Sequence, residues 1–158
     1  MLKKVIGVIL ATSMLLSSNV LAEEFSTKPM VSTNEDYTLA LKSDGTVWAW
    51  GENKYGSLGI GTSQDSIYPV QTKGLKDIVC VNAKGDYAMA VDSEGYVWYW
   101  GKERSETADE FIKLSADEAT PKRINAINNV KEVDSSGTYA LALKKMEQYG
   151  NLTTELRI

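Results

Sequence analysis

Neighbouring carboxylates are the side chains of this sequence that could most readily perform acid–base chemistry. Two carboxyl groups that flank a glycosidic bond can act as the acid and the nucleophile of a glycosidase. The neighbouring pairs are Glu35/Asp36, Asp92/Glu94, Asp109/Glu110 and Asp117/Glu118. Adjacent carboxylates in polar segments more often form a solvated surface than a catalytic pair, so we predict no glycosidase site here.

Two pairs of tryptophans could instead provide a flat aromatic surface. Trp48 with Trp50, and Trp98 with Trp100, could stack on a carbohydrate or form a protein-binding face. Both pairs occupy the same place in two similar segments of the chain. Because aromatic residues fixed to a repeat usually pack between repeats, we predict that these tryptophans belong to the core.

The residues present disfavour other kinds of catalytic or metal site. The chain has no histidine and one cysteine, which excludes Ser-His and Cys-His nucleophiles, His-ligated metals and an internal disulfide. Asp44 and Asp92 lie in turns that lack the alternating oxygen ligands of a calcium loop. We therefore predict a protein that is not an enzyme and has no cofactor, with no catalytic, cofactor-binding or metal-binding residue. Its binding residues are not identifiable from the sequence.

Two further features have simple structural interpretations. The segment 51–61 is rich in glycine, but it lacks the GxxxxGK[ST] pattern and the following helix that bind phosphate. Cys80 lies in the apolar stretch Ile-Val-Cys-Val, which predicts a small core residue in a buried strand.

Internal repetition dominates the sequence. DYTLALKSDGTVWAWG at residues 36–51 recurs as DYAMAVDSEGYVWYWG at 86–101, with nine of the sixteen aligned residues identical. A third copy begins at residue 138 with TYALALK. Self-similarity at a fixed period is typical of repeat architectures in which each unit packs on its neighbours.

Each repeated unit has the pattern of four short β-strands. In the first unit, strands rich in aliphatic and aromatic residues flank a Ser-Asp-Gly turn. Because apolar residues occur on both faces of these strands, the sheet must be covered on both sides. Pro69 predicts an edge strand. The predicted strands cover 37–41, 46–50, 67–72 and 78–82. Four strands in about fifty residues are typical of a β-propeller blade.

The segment YTLALKSDGTVWAWGENKYGSLGIG, followed by Pro69, Val70 and Gly85, resembles the regulator of chromosome condensation repeat family. It is most similar to bacterial members that are often called alpha-tubulin-suppressor-like repeats, and the resemblance covers residues 36–145. It implies a β-propeller fold and a non-catalytic binding role. Where the family usually has histidine before the Leu-Ala-Leu strand, this chain has tyrosine at 37, 87 and 139.

The second unit departs from this pattern after Gly101. The glycine-rich stretch of the first unit is replaced by the acidic segment KERSETADEFIKLSADE. Thr107 and Glu110 have the spacing of a capping box, which predicts one or two helical turns there.

Residues 1–22 have the pattern of a cleavable secretory signal peptide. Lys3 and Lys4 precede an apolar run over 5–16, which is shorter than the roughly 20 residues that span a bilayer. Cleavage after Ala22 removes both lysines and leaves a charge of 15 − 21 = −6. We therefore predict a secreted or cell-envelope protein, extracellular or periplasmic, that binds neither nucleic acid nor, after cleavage, a membrane.

The tail over 146–158 does not continue the third repeat. Back-translated from the last base of the Lys145 codon, the shifted frame encodes Asn or Asp, Gly, Thr or Ala, Val or Ile, then Trp or Arg, which matches the turn and strand of the repeat. We hypothesise that a frameshift in an adenine run encoding Lys144 and Lys145 truncated a longer propeller. The alternative is an unrelated C-terminal cap, and a gene without a repeat-like continuation in the shifted frame would favour that cap.

The predicted architecture is all-β, with propeller blades of four antiparallel strands in an incomplete ring of two blades and the start of a third. A lead-in over 23–35 follows the signal peptide, and the repeats cover 36–85, 86–137 and 138–145. Three sheets cannot close a ring, so exposed blade edges could associate between chains.

Three functions are compatible with this organisation. We favour an exported, non-catalytic protein-interaction module that presents the loops over 53–68 and 102–120 to an extracellular protein or a surface polymer. The alternative is a truncated remnant of a longer propeller protein with no independent function. A secreted hydrolase is less favoured because no set of catalytic residues converges.

Overall fold

The structure is a computed structural model that describes residues 24–102, 118–136 and 140–145, together with the backbone of a strand at 155–157. The predicted signal peptide, the capping box at 107–110 and the rest of the 146–158 tail lie outside these residues. No helix that could cross a membrane occurs in this described part of the chain.

The described residues form three antiparallel β-sheets. The first contains β1 (Met30–Thr33), β2 (Tyr37–Leu41), β3 (Val47–Gly51) and β4 (Ser66–Gln71). The second contains β5 (Ile78–Lys84), β6 (Tyr87–Asp92), β7 (Val97–Gly101) and β8 (Glu118–Ile124). The third contains β9 (Val130–Ser135), β10 (Ala140–Lys144) and β11 (Glu155–Arg157). The predicted all-β fold with two blades and part of a third is thus confirmed.

The sequence repeat encodes a repeated strand register. Tyr37 pairs with Gly51 in the first sheet, and Tyr87 pairs with Gly101 in the second. The tight turn between β2 and β3 places Gly45 at a φ of 76°, a backbone conformation that only glycine adopts at low cost. Each four-stranded sheet is a simple meander, in which every strand pairs with the next one along the chain.

Both prolines that the repeats share lie on edge strands. Pro69 is in β4 and Pro121 is in β8, the last strands of the first and second sheets. Because proline has no N–H group, it weakens a central strand but is tolerated where that group would face outward. The edge position predicted for Pro69 is confirmed.

The sheets are out of phase with the sequence units. The strand predicted at 78–82, the last of the first unit, is β5 and pairs with β6 at the start of the second sheet. The first sheet instead begins with β1, which lies in the predicted lead-in and pairs with β2. A periodic sequence fits any starting point equally well, and only the hydrogen bonding between strands decides where one sheet ends.

The three sheets stack face to face and bury two apolar layers. The layer between the first and second sheets contains Leu39, Leu41, Val47, Ala49, Leu58, Val81, Ala88, Ala90 and Trp100, among others. The layer on the opposite face of the second sheet includes Cys80, Tyr87, Met89, Val91, Tyr99, Val130, Val133, Ala140 and Ala142. All six residues of β6 are therefore buried, whereas buried and half-buried residues alternate along β2. The second sheet is covered on both faces, as predicted.

Hydrogen bonds at equivalent places join each sheet to the next. The amide of Ile78 donates to the carbonyl of Gly45 at 3.2 Å, and the amide of Val130 donates to the carbonyl of Gly95 at 3.0 Å. The hydroxyl of buried Tyr37 donates to the carbonyl of Tyr87. Burial raises the pKa of Tyr37 well above its ordinary value, so the phenol stays protonated and keeps this bond.

Candidate functional site

The loop between β3 and β4 is held in one shape by a buried asparagine. The side chain of Asn53 accepts a hydrogen bond from the amide of Leu58 at 2.8 Å. Its amide group donates to the carbonyls of Thr62 and Gln64 at 2.8 and 2.9 Å. The carboxylate of Asp65 accepts from the Asn53 backbone at 2.7 Å. These bonds take the place of regular secondary structure, so the loop offers a preorganised surface.

The same loop packs against the second sheet. Leu58 is fully buried in the layer between the sheets, and the indole nitrogen of Trp100 donates to the carbonyl of Ser57 at 2.8 Å. Gly56 lies so close to β8 that a Cβ there would be 2.5 Å from the Cα of Ala119. The glycines of the 51–61 segment therefore allow tight packing between sheets.

A small, shallow cleft of about 30 Å³ lies between this loop and the turn that joins β5 to β6. Its lining residues are Asp36, Tyr37, Glu52, Lys54, Tyr55, Ser57, Gly85 and Asp86. Beside it, the amino groups of Lys102 and Lys54 lie 4.6 and 5.1 Å from the ring centre of Tyr55. We call Lys54, Tyr55, Asp86 and Lys102 the loop face.

The loop face combines both signs of charge with an aromatic ring. The amino group of Lys102 is 3.0 Å from the carboxylate of Asp86, and this hydrogen bond raises the pKa of the lysine. Cation–π contacts with the two lysines help to hold the ring of Tyr55 in place. A half-buried aromatic ring beside charged side chains is suited to recognising another surface.

The described residues contain no cluster of three or more cysteine or acidic side chains that could hold a metal ion. Asp36, Glu52 and Asp86 all line the cleft, but Asp86 is already paired with Lys102. Among the described residues, this arrangement places charges of both signs beside the cleft.

Two of the candidate carboxylates stabilise turns. Asp92 is buried and accepts hydrogen bonds from the amide of Tyr96 at 2.9 Å and from the indole of Trp98 at 2.8 Å. Asp44 accepts from the amide and hydroxyl of Thr46 at 3.0 and 2.6 Å, which holds its pKa at about 2. Both carboxylates therefore have a structural role in the turns that follow β2 and β6.

The remaining acidic candidates are spread over the chain. Glu35 is exposed and Asp36 lines the cleft. Glu118 lies 3.8 Å from Lys122 at the edge strand β8. Asp117 and the pair Asp109/Glu110 lie outside the described residues.

The two tryptophan pairs have different surroundings. Trp98 and Trp100 face the first sheet, and Trp100 is fully buried, so the predicted packing between repeats is confirmed for this pair. In β3, Val47 and Ala49 occupy that core, so Trp48 and Trp50 point to the opposite face. They are half-buried there and belong to neither apolar layer of the described residues, so the prediction that they lie in the core is wrong for this pair.

Cys80 faces the third sheet from β5. The side chain is buried, and burial raises the pKa of its thiol. The predicted role as a small core residue is confirmed.

Antiparallel sheets that stack face to face and recur with the same period of about fifty residues as the sequence define this chain as a β-propeller-type repeat protein. Residues 44–91 match the family model described as "Regulator of chromosome condensation (RCC1) repeat". Residues 44–91 therefore contain a repeat of this family. The matched segment runs from the β2–β3 turn into β6, so the family's unit also crosses the boundary between two sheets.

Two curated relatives share short stretches of sequence. The chain is 46% identical over 37 residues to the ultraviolet-B receptor UVR8 of Arabidopsis thaliana, which covers 23% of this chain and 8% of that protein. It is 31% identical over 52 residues to the human E3 ubiquitin-protein ligase HERC2, which covers 33% of this chain and 1% of that protein. The chain thus spans less than a tenth of the length of these relatives.

Solved structures support the fold. Human WBSCR16 has a TM-score of 0.61 at 22% identity over 76% of this chain and 31% of its own. Yeast RCC1 (Prp20), solved with Kap60 bound, has a TM-score of 0.55 at 15% identity over 73% of this chain and 29% of its own. The three described sheets therefore correspond to about a third of these longer chains.

Proposed function

We propose that this chain is an exported, non-catalytic interaction module that binds a protein outside the cytoplasm through its loop face. The observation that carries the proposal is the placement of Lys54 and Tyr55 on a loop fixed by buried Asn53, with Lys102 of the second sheet beside the same ring. Such a surface loses little conformational entropy when it binds a partner.

The carboxylates of the first sheet, of its loop and of the β5–β6 turn have structural roles, which favours binding over catalysis. Asp44 maintains a turn, Asp65 closes the loop, and Asp86 positions Lys102. The cleft beside the loop face is shallow, whereas a small-molecule site usually surrounds most of its ligand. Contact with a larger surface suits this geometry better.

Export and the kind of partner are supported by sequence and by relatives. The signal-like segment over 1–22 and the acidic charge of the remaining chain favour a secreted or cell-envelope location over nucleic acid or membrane binding. One protein of the same fold, yeast RCC1, was solved with another protein bound. A surface polymer is the second kind of partner that the loop face could contact.

Site-specific photocrosslinking tests this proposal. A photoreactive phenylalanine analogue at position 55, in the protein expressed by its own cells, is expected to give one discrete adduct outside the cytoplasm. Protease treatment should destroy the partner in that adduct, and the double substitution Lys54→Glu and Lys102→Glu should lower its yield at least about tenfold.

Position 96 provides a matched control. Tyr96 also carries a cation–π contact, with Arg123 at 4.5 Å from its ring, but it lies in the β6–β7 turn away from the loop face. Equal adducts from positions 55 and 96 would contradict the proposed site. A protease-resistant, glycosidase-sensitive adduct would indicate a surface polymer, and retention of the chain in the cytoplasm would contradict export.

A further inference from the structure

The outer face of the first sheet is apolar, and no described sheet lies against it. Val31, Ala40 and Trp48 are neighbours across three strands, because Val31 pairs with Ala40 and Ala40 pairs with Trp48. Thr38 pairs with Trp50 beside them. Val31 is 66% exposed, although valine is usually buried. We call Val31, Thr38, Ala40, Trp48 and Trp50 the open face.

The second sheet shows what such a face binds. Fifty positions after each residue of the open face, the second sheet has Val81, Ala88, Ala90, Trp98 and Trp100. Four of these five residues are of the same type as their counterpart, and Ala88 replaces Thr38. All five belong to the layer that packs against the first sheet. Val81 is 2% exposed there, compared with 66% for Val31. The open face therefore has the residues of an interface between sheets that is already formed once within the chain.

The third sheet carries the matching surface. Within the chain, Leu39 and Leu41 of β2 pack in the layer that contains Val81, Ala90 and Trp100. At the corresponding positions of β10 lie Leu141, which is 36% exposed, and Leu143, which is half-buried. We call Leu141 and Leu143 the leucine face.

Charge disfavours the pairing of like faces. On the third sheet, exposed Glu132 occupies the place of Met30 and Cys80 in the earlier sheets. At the open face, the amino group of Lys42 lies 5.7 Å from the centre of the Trp48 ring and 3.1 Å from the carboxylate of Asp44, so its charge is already paired. Two leucine faces in contact would bring the carboxylates of two Glu132 residues together, whereas the open face adds no unpaired negative charge.

We propose that the open face of one chain binds the leucine face of a second copy. The contact is head-to-tail, because different surfaces of the two copies meet. Two copies bring six described sheets, which is within the range of about four to eight blades in closed propellers. A two-chain ring would use both faces of each copy. This surface is separate from the loop face, so the proposal does not depend on the protein partner proposed above.

Association through strand edges is the competing arrangement. The edge strand β4 exposes Ile67 by 82% and Tyr68 by 72%, and an exposed edge can pair with another chain. A substitution there separates the two arrangements, because Tyr68→Lys disturbs the edge but leaves the open face and the leucine face unchanged.

Sedimentation velocity over a concentration series tests the proposal with the purified chain. The unsubstituted protein should form dimers. Trp48→Glu on the open face and Leu141→Glu on the leucine face should each raise the dissociation constant roughly 30-fold or more. Because each variant keeps the surface that the other lacks, an equal mixture of the two should form dimers again. Tyr68→Lys alone should remain dimeric.

The mixture makes the result independent of folding defects in one variant. Recovery of dimers requires both variants to be folded, and near-ultraviolet circular dichroism verifies the packing of each alone. A monomeric unsubstituted protein, a mixture that stays monomeric, or dimers that only Tyr68→Lys abolishes would each overturn the proposal.

Discussion

Trp100→Ala is expected to lower the free energy of unfolding by about 3–5 kcal/mol. The side chain is fully buried between the first two sheets, and its indole donates a hydrogen bond to the carbonyl of Ser57. The substitution leaves a cavity and removes the partner of a buried carbonyl. Urea unfolding, followed by far-ultraviolet circular dichroism at dilute protein concentration, measures the change.

Trp50→Ala is the matched control, because it makes the same chemical change one repeat earlier. Trp50 is half-buried on the open face, outside both apolar layers. Its loss should cost about 1 kcal/mol when the chain is monomeric. Equal costs for Trp50→Ala and Trp100→Ala would mean that the second sheet does not pack on the first as described.

Gly101→Ala is expected to destabilise the protein by about 2–5 kcal/mol. Gly101 ends β7 at a φ of 98°, and a Cβ there would lie 2.5 Å from the carbonyl oxygen of Asp86. That oxygen accepts hydrogen bonds from the amide of Lys102 and the hydroxyl of Ser57. The added methyl group would therefore disturb the turn beside the loop face as well as the strand.

Gly74→Ala separates backbone strain from this close approach. Gly74 has a similar φ of 73°, but no atom lies within 4 Å of its Cβ position. Only the conformational cost of about 1–2 kcal/mol should appear. If Gly101→Ala costs no more than Gly74→Ala in the same denaturation assay, β7 does not approach Asp86 as closely as described.

The strands and edges could be predicted because they depend on local pattern. The strand at 37–41 follows from an apolar run before a Ser-Asp-Gly turn, and its bounds agree with β2. Pro69 marks an edge because proline lacks a donor. The covered second sheet follows from strands that are apolar on both faces.

The phase of the sheets and the loop face could not be predicted in this way. The repeat does not specify whether the strand at 78–82 ends one sheet or begins the next, since that depends on long-range hydrogen bonds to β6. The partners of Asn53 follow no period, and its loop has no counterpart in the second unit. The different surroundings of Trp50 and Trp100 depend on which sheets are neighbours, although both residues have the same local sequence pattern.

These observations connect stability with binding in one repeat protein. Where two sheets meet, residues that recur every fifty positions pack in the core, as Trp98 and Trp100 do. On the outer face of the first sheet, where no described sheet packs, the equivalent residues Trp48 and Trp50 belong to the open face. The loop of the first unit adds a second, polar surface that no repeated residue provides.

Hydrogen–deuterium exchange of two equivalent strands tests most directly the claim that stacked sheets determine which surfaces are covered. In dilute protein, the amides of β6, which is covered on both faces, should exchange at least about tenfold more slowly than those of β2, which is covered on one. At high protein concentration, β2 should slow toward β6 while β4 stays unchanged. Equal exchange of β2 and β6 in dilute protein, or new protection confined to β4, would contradict the account.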